Sequence, residues 1–288
     1  MRLGLGLGVP RLFDESGSIS VAISSIAVAA TGAETISGTA TAALSPLTAA
    51  ATGMIYEPTA ISGLVAWYDA RTLSTLFQDS AGTTPVASNN DPVGKWSDKM
   101  GNGNHIIQAT AGKRPLYKTS QFGSFPAVHG DGVNDVLTAA TTTLAGSTGI
   151  TIAAVIYAES KTAIGLVAAY DRSFNLMGWF NTTGFPIIIN DAGSSAGTAD
   201  ITGAAHRMVG TIGATATPTV TLYIDDVAQT PGTGDLTIDN GKDLSLFAMS
   251  DSTFPGTLRI GELVVYNRPL TGVEVGQLDT YFVNGWGL

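Results

Sequence analysis

"IGELVVYNRPLTGVEVGQLDTYFVNGWG" (residues 260–287) changes its hydrophobic period partway along, and that change decides the fold. The first part is rich in β-branched residues and reads as a strand that ends at Tyr266, Asn267 and Arg268. Thr271 and Glu274 then have capping-box spacing: a threonine hydroxyl can accept from the third helical N–H while the glutamate reaches back to the cap. Val275, Leu278 and Phe282 recur at helical spacing, and Asn284-Gly285 predicts the stop. A strand feeding one short amphipathic helix is therefore expected at the C-terminal end.

Working outward, the same strand texture runs from Ile61 onward. "GLVAWYDA" (63–70), "ITIAAVIYAES" (150–160), "AIGLVAAYD" (163–171), "FPIIIND" (185–191), "HRMVGTIG" (206–213), "TVTLYIDD" (219–226), "DLSLFAMS" (243–250) and "TLRIGELVVYN" (257–267) are separated by Gly, Pro, Asn and Asp clusters. Short strands at this spacing are the pattern of a sandwich or barrel. "TVTLYIDDVAQT" reads as a hairpin turning at Asp225-Asp226. Only 13% of the residues are charged, whereas Gly, Ala, Ser and Thr abound, which suits tight turns between strands. A length of 288 residues allows one large β-domain plus an accessory segment.

The formal net charge of −9 argues against a nucleic-acid partner, since phosphate neutralisation needs clustered Lys and Arg. The chain has no cysteine, which removes disulfides, thiol nucleophiles and Cys-ligated zinc. No run of about 18 apolar residues predicts a membrane span. The opening "MRLGLGLGVP" lacks the continuous apolar core of a secretory signal. Its "GLGLG" has neither the preceding strand nor the following Lys and helix of a phosphate loop. In an extended strand, Leu3, Leu5 and Leu7 would face one way and Gly4, Gly6 and Gly8 the other. Residues 1–15 are therefore expected to be an extended mooring peptide that docks on a partner surface.

Residues 16–57 are a segment apart, Ala/Thr-rich and of β type. Within 16–56 the one charge is Glu34, and "SISVAISSIAVAATG" (18–32) aligns with "TAALSPLTAAATG" (41–53) at an offset of 21. Such small side chains bury too little area to offset chain entropy alone, so oligomerisation, or a plain linker, is expected there. Residues 58–288 carry the main domain.

Four stretches, "GLVAWYDA" (63–70), "HGDGVNDVL" (129–137), "TLYIDDVAQ" (221–229) and the closing 260–287, together resemble the laminin-G-like, concanavalin A-like jelly roll found in bacteriophage virion proteins. The closing strand, capped helix and Gly-Trp-Gly are the most specific of them. The resemblance implies an all-β, two-sheet antiparallel jelly-roll sandwich with a short C-terminal helix, used mostly for binding carbohydrate or protein. Asp226 departs from the pattern, standing where that turn usually carries Gly. No cofactor is expected. Calcium enters through the resemblance alone, because no ligand motif matches.

The candidate chemistry is sparse. Only six glutamates occur, and the nearest pair, Glu262 and Glu274, straddles a strand and a helix, so the paired carboxylates of a glycosidase are not expected on one strand. "GSSAG" (193–197), with Asp200 and His206 following, matches a nucleophile elbow in letters, but no helix pattern follows and a loop is expected. His105, His129 and His206 lack metal-ligand spacing and read as structural. For sugar binding, "YDRSFNLMGWFNTTG" (170–184) offers flat rings beside amides and a carboxylate: Tyr170, Asp171, Asn175, Trp179, Phe180 and Asn181. Trp67, Trp96 and Trp286 read as packing residues.

The sequence thus predicts a non-enzymatic structural protein on the surface of a bacteriophage virion, assembled in the host cytoplasm as a head fibre, capsid decoration or tail appendage. Its expected partners are capsid, portal or tail proteins through the N-terminus, host or environmental surface glycans, and further copies of itself, a trimer by analogy. A polysaccharide-degrading enzyme on the same fold and a purely structural capsid or tail element are the rivals.

Overall fold

The computed structural model describes residues 57–139, 149–160, 165–170, 175–179, 184, 186–190, 193–213, 219–233 and 244–288. The mooring peptide with Leu3 to Gly8, the Ala/Thr-rich repeat and the candidate residues Asp171, Phe180 and Asn181 lie outside the described residues. From Pro58 onward the chain is an antiparallel two-sheet sandwich, as expected.

The strand Thr257–Tyr266 is the axis of the first sheet. It pairs along its length with Gly149–Ala158, while its other edge is shared by Phe125–Asp131 at the start and Leu64–Asp69 at the end. The sheet continues through Ala205–Gly213 and Thr219–Ile224 on one side and ends at Leu116–Phe122 on the other. The second sheet runs in the order Gly193–Ala196, Pro186–Asn190, Asn175–Trp179, Gly165–Tyr170, Leu244–Phe247 and Leu137–Ala139, then closes with the short strands Ile106–Ile107, Lys95–Trp96 and Leu76–Phe77.

One core lies between the sheets. Leu258, Ile260, Leu263 and Val265 enter it from the axial strand, opposite Val167, Met177, Ile188, Leu244 and Leu246 of the second sheet. The inward spacing slips by one residue between Ile260 and Leu263, because the register of the pairing shifts between Ile260 and Glu262. That shift turns Glu262, Val264 and Tyr266 to the outer face. Gly261 stands at the shift because a Cβ there would come 2.7 Å from the Trp286 ring.

A second core forms on the outer face of the first sheet, beneath the helix Gly272–Trp286. Val275, Leu278, Tyr281, Phe282 and Trp286 cover Trp67, Phe122, Ala153, Val155, Val209 and Val264. Covered on both sides, the strand Gly149–Ala158 can be apolar almost throughout, which explains "GITIAAVIYA". The capping box forms as its spacing predicts. Arg268 adds a two-pronged ion pair to Glu274, Nη1–Oε2 2.9 Å and Nη2–Oε1 2.5 Å, and so ties the end of the strand to the first helical turn. These bonds hold the Glu274 carboxyl down at about 2.

Three local expectations meet the structure. The hairpin turns at Asp225-Asp226, both at positive φ (51° and 65°), with Ile224 opposite Val227. Asp225 tolerates this because its carboxylate is fixed by His206 Nδ1 at 2.7 Å and the Arg207 N–H at 3.0 Å. The helix does not stop at Asn284-Gly285: it runs to Trp286, and Gly287 caps it at φ 66°. Burial of Trp286 and the bond from Arg71 Nη1 to the Gly285 carbonyl carry it past that signal. "GSSAG" forms the strand Gly193–Ala196 and not a loop. Ser195 is buried there, donating to the Thr230 carbonyl and accepting from the Leu222 N–H, so its hydroxyl joins one sheet to the other.

Candidate functional site

Of the residues singled out for sugar binding, Tyr170, Asn175 and Trp179 sit on strands of the second sheet. Tyr170 and Asn175 are register partners at one end of adjacent strands, and Trp179 lies at the far end of the second of these, opposite Gly165 and Pro186. Four residues of extended chain, roughly 13 Å, separate Asn175 from Trp179. Asp200 and His206, which follow Ser195 in the order of a triad, are engaged elsewhere, Asp200 with Thr202 and His206 with Asp225.

The most concentrated buried charge lies under the helix. Asp69 and Glu262 are cross-strand partners, so the fold brings together a carboxylate pair from two different strands. Arg71 bridges them, with Nε on Asp69 at 2.9 Å and Nη2 on Glu262 at 2.8 Å. Glu262 is fully buried and accepts three further bonds: Trp67 Nε1 at 2.6 Å, Tyr281 Oη at 2.8 Å and Trp286 Nε1 at 2.6 Å. Burial first, and then the neighbouring Asp69, push its carboxyl up to about 7, against the pull of Arg71 and the ring donors. Lys99 completes the cluster, 3.1 Å from Asp69 and over the Trp67 ring at 3.7 Å. With four donors converging on one carboxylate, this centre holds the helix on the sheet and offers no free base.

Beside the helix, the same outer face carries a polar groove. Leu116, His129, Arg259 and Tyr157 form a cross-strand row, each the register partner of the next. Ala127, two residues before His129 on its strand, lies under the helix, which places the row on the helix side of the sheet. Glu159 gathers the row: its Oε1 lies 3.0 Å from His129 Nε2 and 2.7 Å from Arg259 Nε. The Arg259 guanidinium also lies over the Tyr157 ring, 4.5 Å from its centroid. Burial lowers the His129 imidazole below its usual value, against the pull of Glu159.

Asn89, Lys118, Thr119 and Gln121 complete a recess of about 320 Å³ around His129, Glu159 and Arg259. A second recess of about 300 Å³ shares Lys118 and His129 and extends to Arg114, Asp131 and Asp135. Together they make one groove along the outer edge of the first sheet. Among the described residues Arg259 bonds to Glu159 through Nε, and its two terminal nitrogens make no further hydrogen bond. Asp135 is largely buried in the wall of this second recess, and burial raises its carboxyl to about 6. Among the described residues no group of three or more His, Cys, Asp or Glu is placed to hold a metal ion.

Sequence reasoning missed this groove. In the sequence His129 reads as structural and "HGDGVNDVL" as a fold signature. The available signal was the alternation of His129 and Asp131 on one strand, with Lys118 and Arg259 on strands whose pairing the sequence does not reveal.

No protein-family model matches the chain. No curated protein matches its sequence. Among solved structures, the fold is similar to Trypanosoma rangeli sialidase in complex with sialic acid, with a TM-score of 0.51 at 12% identity over 76% of this chain. The chain spans about a third of that protein's length, the match covering 33% of it. It is also similar to domain 4 of a GH43 extracellular arabinanase from Geobacillus stearothermophilus, solved in complex with arabinotriose. There the TM-score is 0.51 at 17% identity, covering 75% of this chain and 98% of that one. At these identities the similarity is one of fold.

Proposed function

We propose that this chain is a non-catalytic glycan-binding β-sandwich, displayed on a bacteriophage virion through its N-terminal segment. The observation that carries the binding role is the groove: His129, Glu159 and Arg259 are held in place by one another before any ligand arrives, and Asn89, Gln121 and Lys118 add further hydrogen-bonding groups. A rigid polar recess suits a ligand whose surface is mostly hydroxyl, because little ordering remains to be done on binding. Its volume is at the small end of the roughly 300–1,000 Å³ usual for ligand pockets. The similar arabinanase domain, of nearly the same extent as the region it matches, was solved with an oligosaccharide, which supports the same direction. The closing motif resembles phage virion jelly rolls, and the leucine-glycine start and small-residue repeat suit mooring and self-association, a trimer by analogy.

The test is retention on insoluble polysaccharides together with an assay for new reducing ends. Wild type is expected to be retained without cleaving, and Arg259→Ala to lose about tenfold in affinity while keeping its thermal midpoint. Removing residues 1–12 leaves retention intact and abolishes incorporation into particles. Retention unchanged by Arg259→Ala, or new reducing ends, contradicts the reading.

A further inference from the structure

The groove is longer than either of its recesses. The two share Lys118 and His129 and extend in opposite directions along the edge strand Leu116–Phe122, one to Thr119 and Gln121, the other to Leu116 and then Arg114. Leu116 and Gln121 stand five residues apart on that strand, at most roughly 17 Å of extended chain, which is longer than one pyranose. Register fixes how closely the floor residues stand. Leu116 and Arg259 are the partners of His129 on its two sides, so their Cβ atoms lie roughly 5 Å from its own. Lys118, the partner of Ala127, is its diagonal neighbour at roughly 7–8 Å. Asp131 follows on the same face of the strand, roughly 7 Å on.

The two halves differ in kind. Around His129 the first is lined by hydrogen-bonding side chains alone, among them Asn89, Thr119, Gln121, Glu159 and Arg259. The second adds an apolar wall of Ala111, Gly112 and Leu116 beside Asp131 and Asp135. Neither half is a field of one sign. Lys118 and Arg259 stand with Glu159 in the first, and Arg114 and Lys118 with Asp131 and Asp135 in the second. Such a mixture offers donors and acceptors together, which is what hydroxyl groups need.

Resting on the glycan-binding reading, we propose that the groove takes two consecutive residues of one glycan chain. The first is held through its hydroxyls around His129, Glu159 and Arg259, and the second lies with its C–H face against Leu116 and Ala111. His129 and Lys118, common to both halves, face the linkage between them. The site thus reads a stretch of chain rather than a single terminal sugar. Each recess alone is at the floor of the roughly 300–1,000 Å³ usual for ligand pockets. A second residue tethered to the first adds its contacts with little further cost of association, so affinity is gained by filling both.

Titration of the full chain with size-fractionated fragments of dextran, arabinan and chitin, from monosaccharide to tetrasaccharide, tests this. For a polymer that retains the chain, affinity is expected to rise about tenfold or more from monosaccharide to disaccharide. Gly112 lines the second half, and a Cβ there would meet nothing within 4 Å, so Gly112→Phe crowds that half without a clash. This variant is expected to keep the thermal midpoint and the monosaccharide's affinity and to lose the gain with length. Equal affinity for monosaccharide and longer fragments, or a gain with length that survives Gly112→Phe, overturns the two-residue groove and leaves the glycan-binding reading standing. Retention by none of the three polymers, nor by any other polysaccharide, overturns both.

Discussion

Glu262 shows how much of this fold rests on one side chain. It receives two indole N–H groups, a phenol and a guanidinium, drawn from the entry strand, the following turn and the terminal helix. A carboxylate can satisfy four donors, whereas a glutamine amide would turn its own N–H₂ toward two of them. Glu262→Gln is therefore expected to lower stability by about 3–5 kcal/mol, the usual cost of breaking a buried charged network from one side. Urea unfolding followed by tryptophan fluorescence reads this, because Trp67 and Trp286 both contact the group. A loss below about 1 kcal/mol would show that the network is not what holds the helix. The tryptophans were legible as packing residues, yet their shared partner was not: Trp67 and Glu262 are 195 residues apart, and nothing local marks a glutamate in a strand as fully buried.

Local chemistry decides the elements that sequence reads well. The capping box at Thr271 and Glu274 and the hairpin at Asp225-Asp226 need only neighbours in the chain, and both form where their residues predict. The two turn aspartates nevertheless do different work. Asp225 anchors His206 and Arg207, whereas Asp226 is exposed, at φ 65°, and adds a negative charge near Asp279. The same substitution should thus have opposite signs at adjacent positions. Asp225→Gly is expected to cost about 1–3 kcal/mol through lost bonds, and Asp226→Gly to raise stability by about 0.5 kcal/mol by supplying the residue this turn favours. Thermal midpoints of the two variants check it, and a shift of the same sign in both contradicts it. The strand at "GSSAG" was illegible for the opposite reason. Its pairing partner Pro186–Asn190 and its bonds to Leu222 and Thr230 are tertiary, and they override a composition that reads as loop.

Over the whole molecule, the sheets and their two cores follow from alternation and from the apolar run of Gly149–Ala158. The groove does not, because it is assembled from four strands whose order only the folded chain reveals. The first sheet presents two neighbouring outer surfaces. One is sealed by the helix and the Glu262 cluster, and the other is left open around His129, Glu159 and Arg259. A single module can therefore be rigid on one half of a face and available on the other. The measurement that tests this division most directly is a ¹H–¹⁵N chemical-shift map of the isotope-labelled chain titrated with an oligosaccharide from a polysaccharide that retains it. Shifts are expected at the amides of residues 116–119, 129–135, 157–159 and 257–259, with those of the helix and of residues 175–190 unmoved. Shifts centred on 175–190, with the groove silent, would contradict the account.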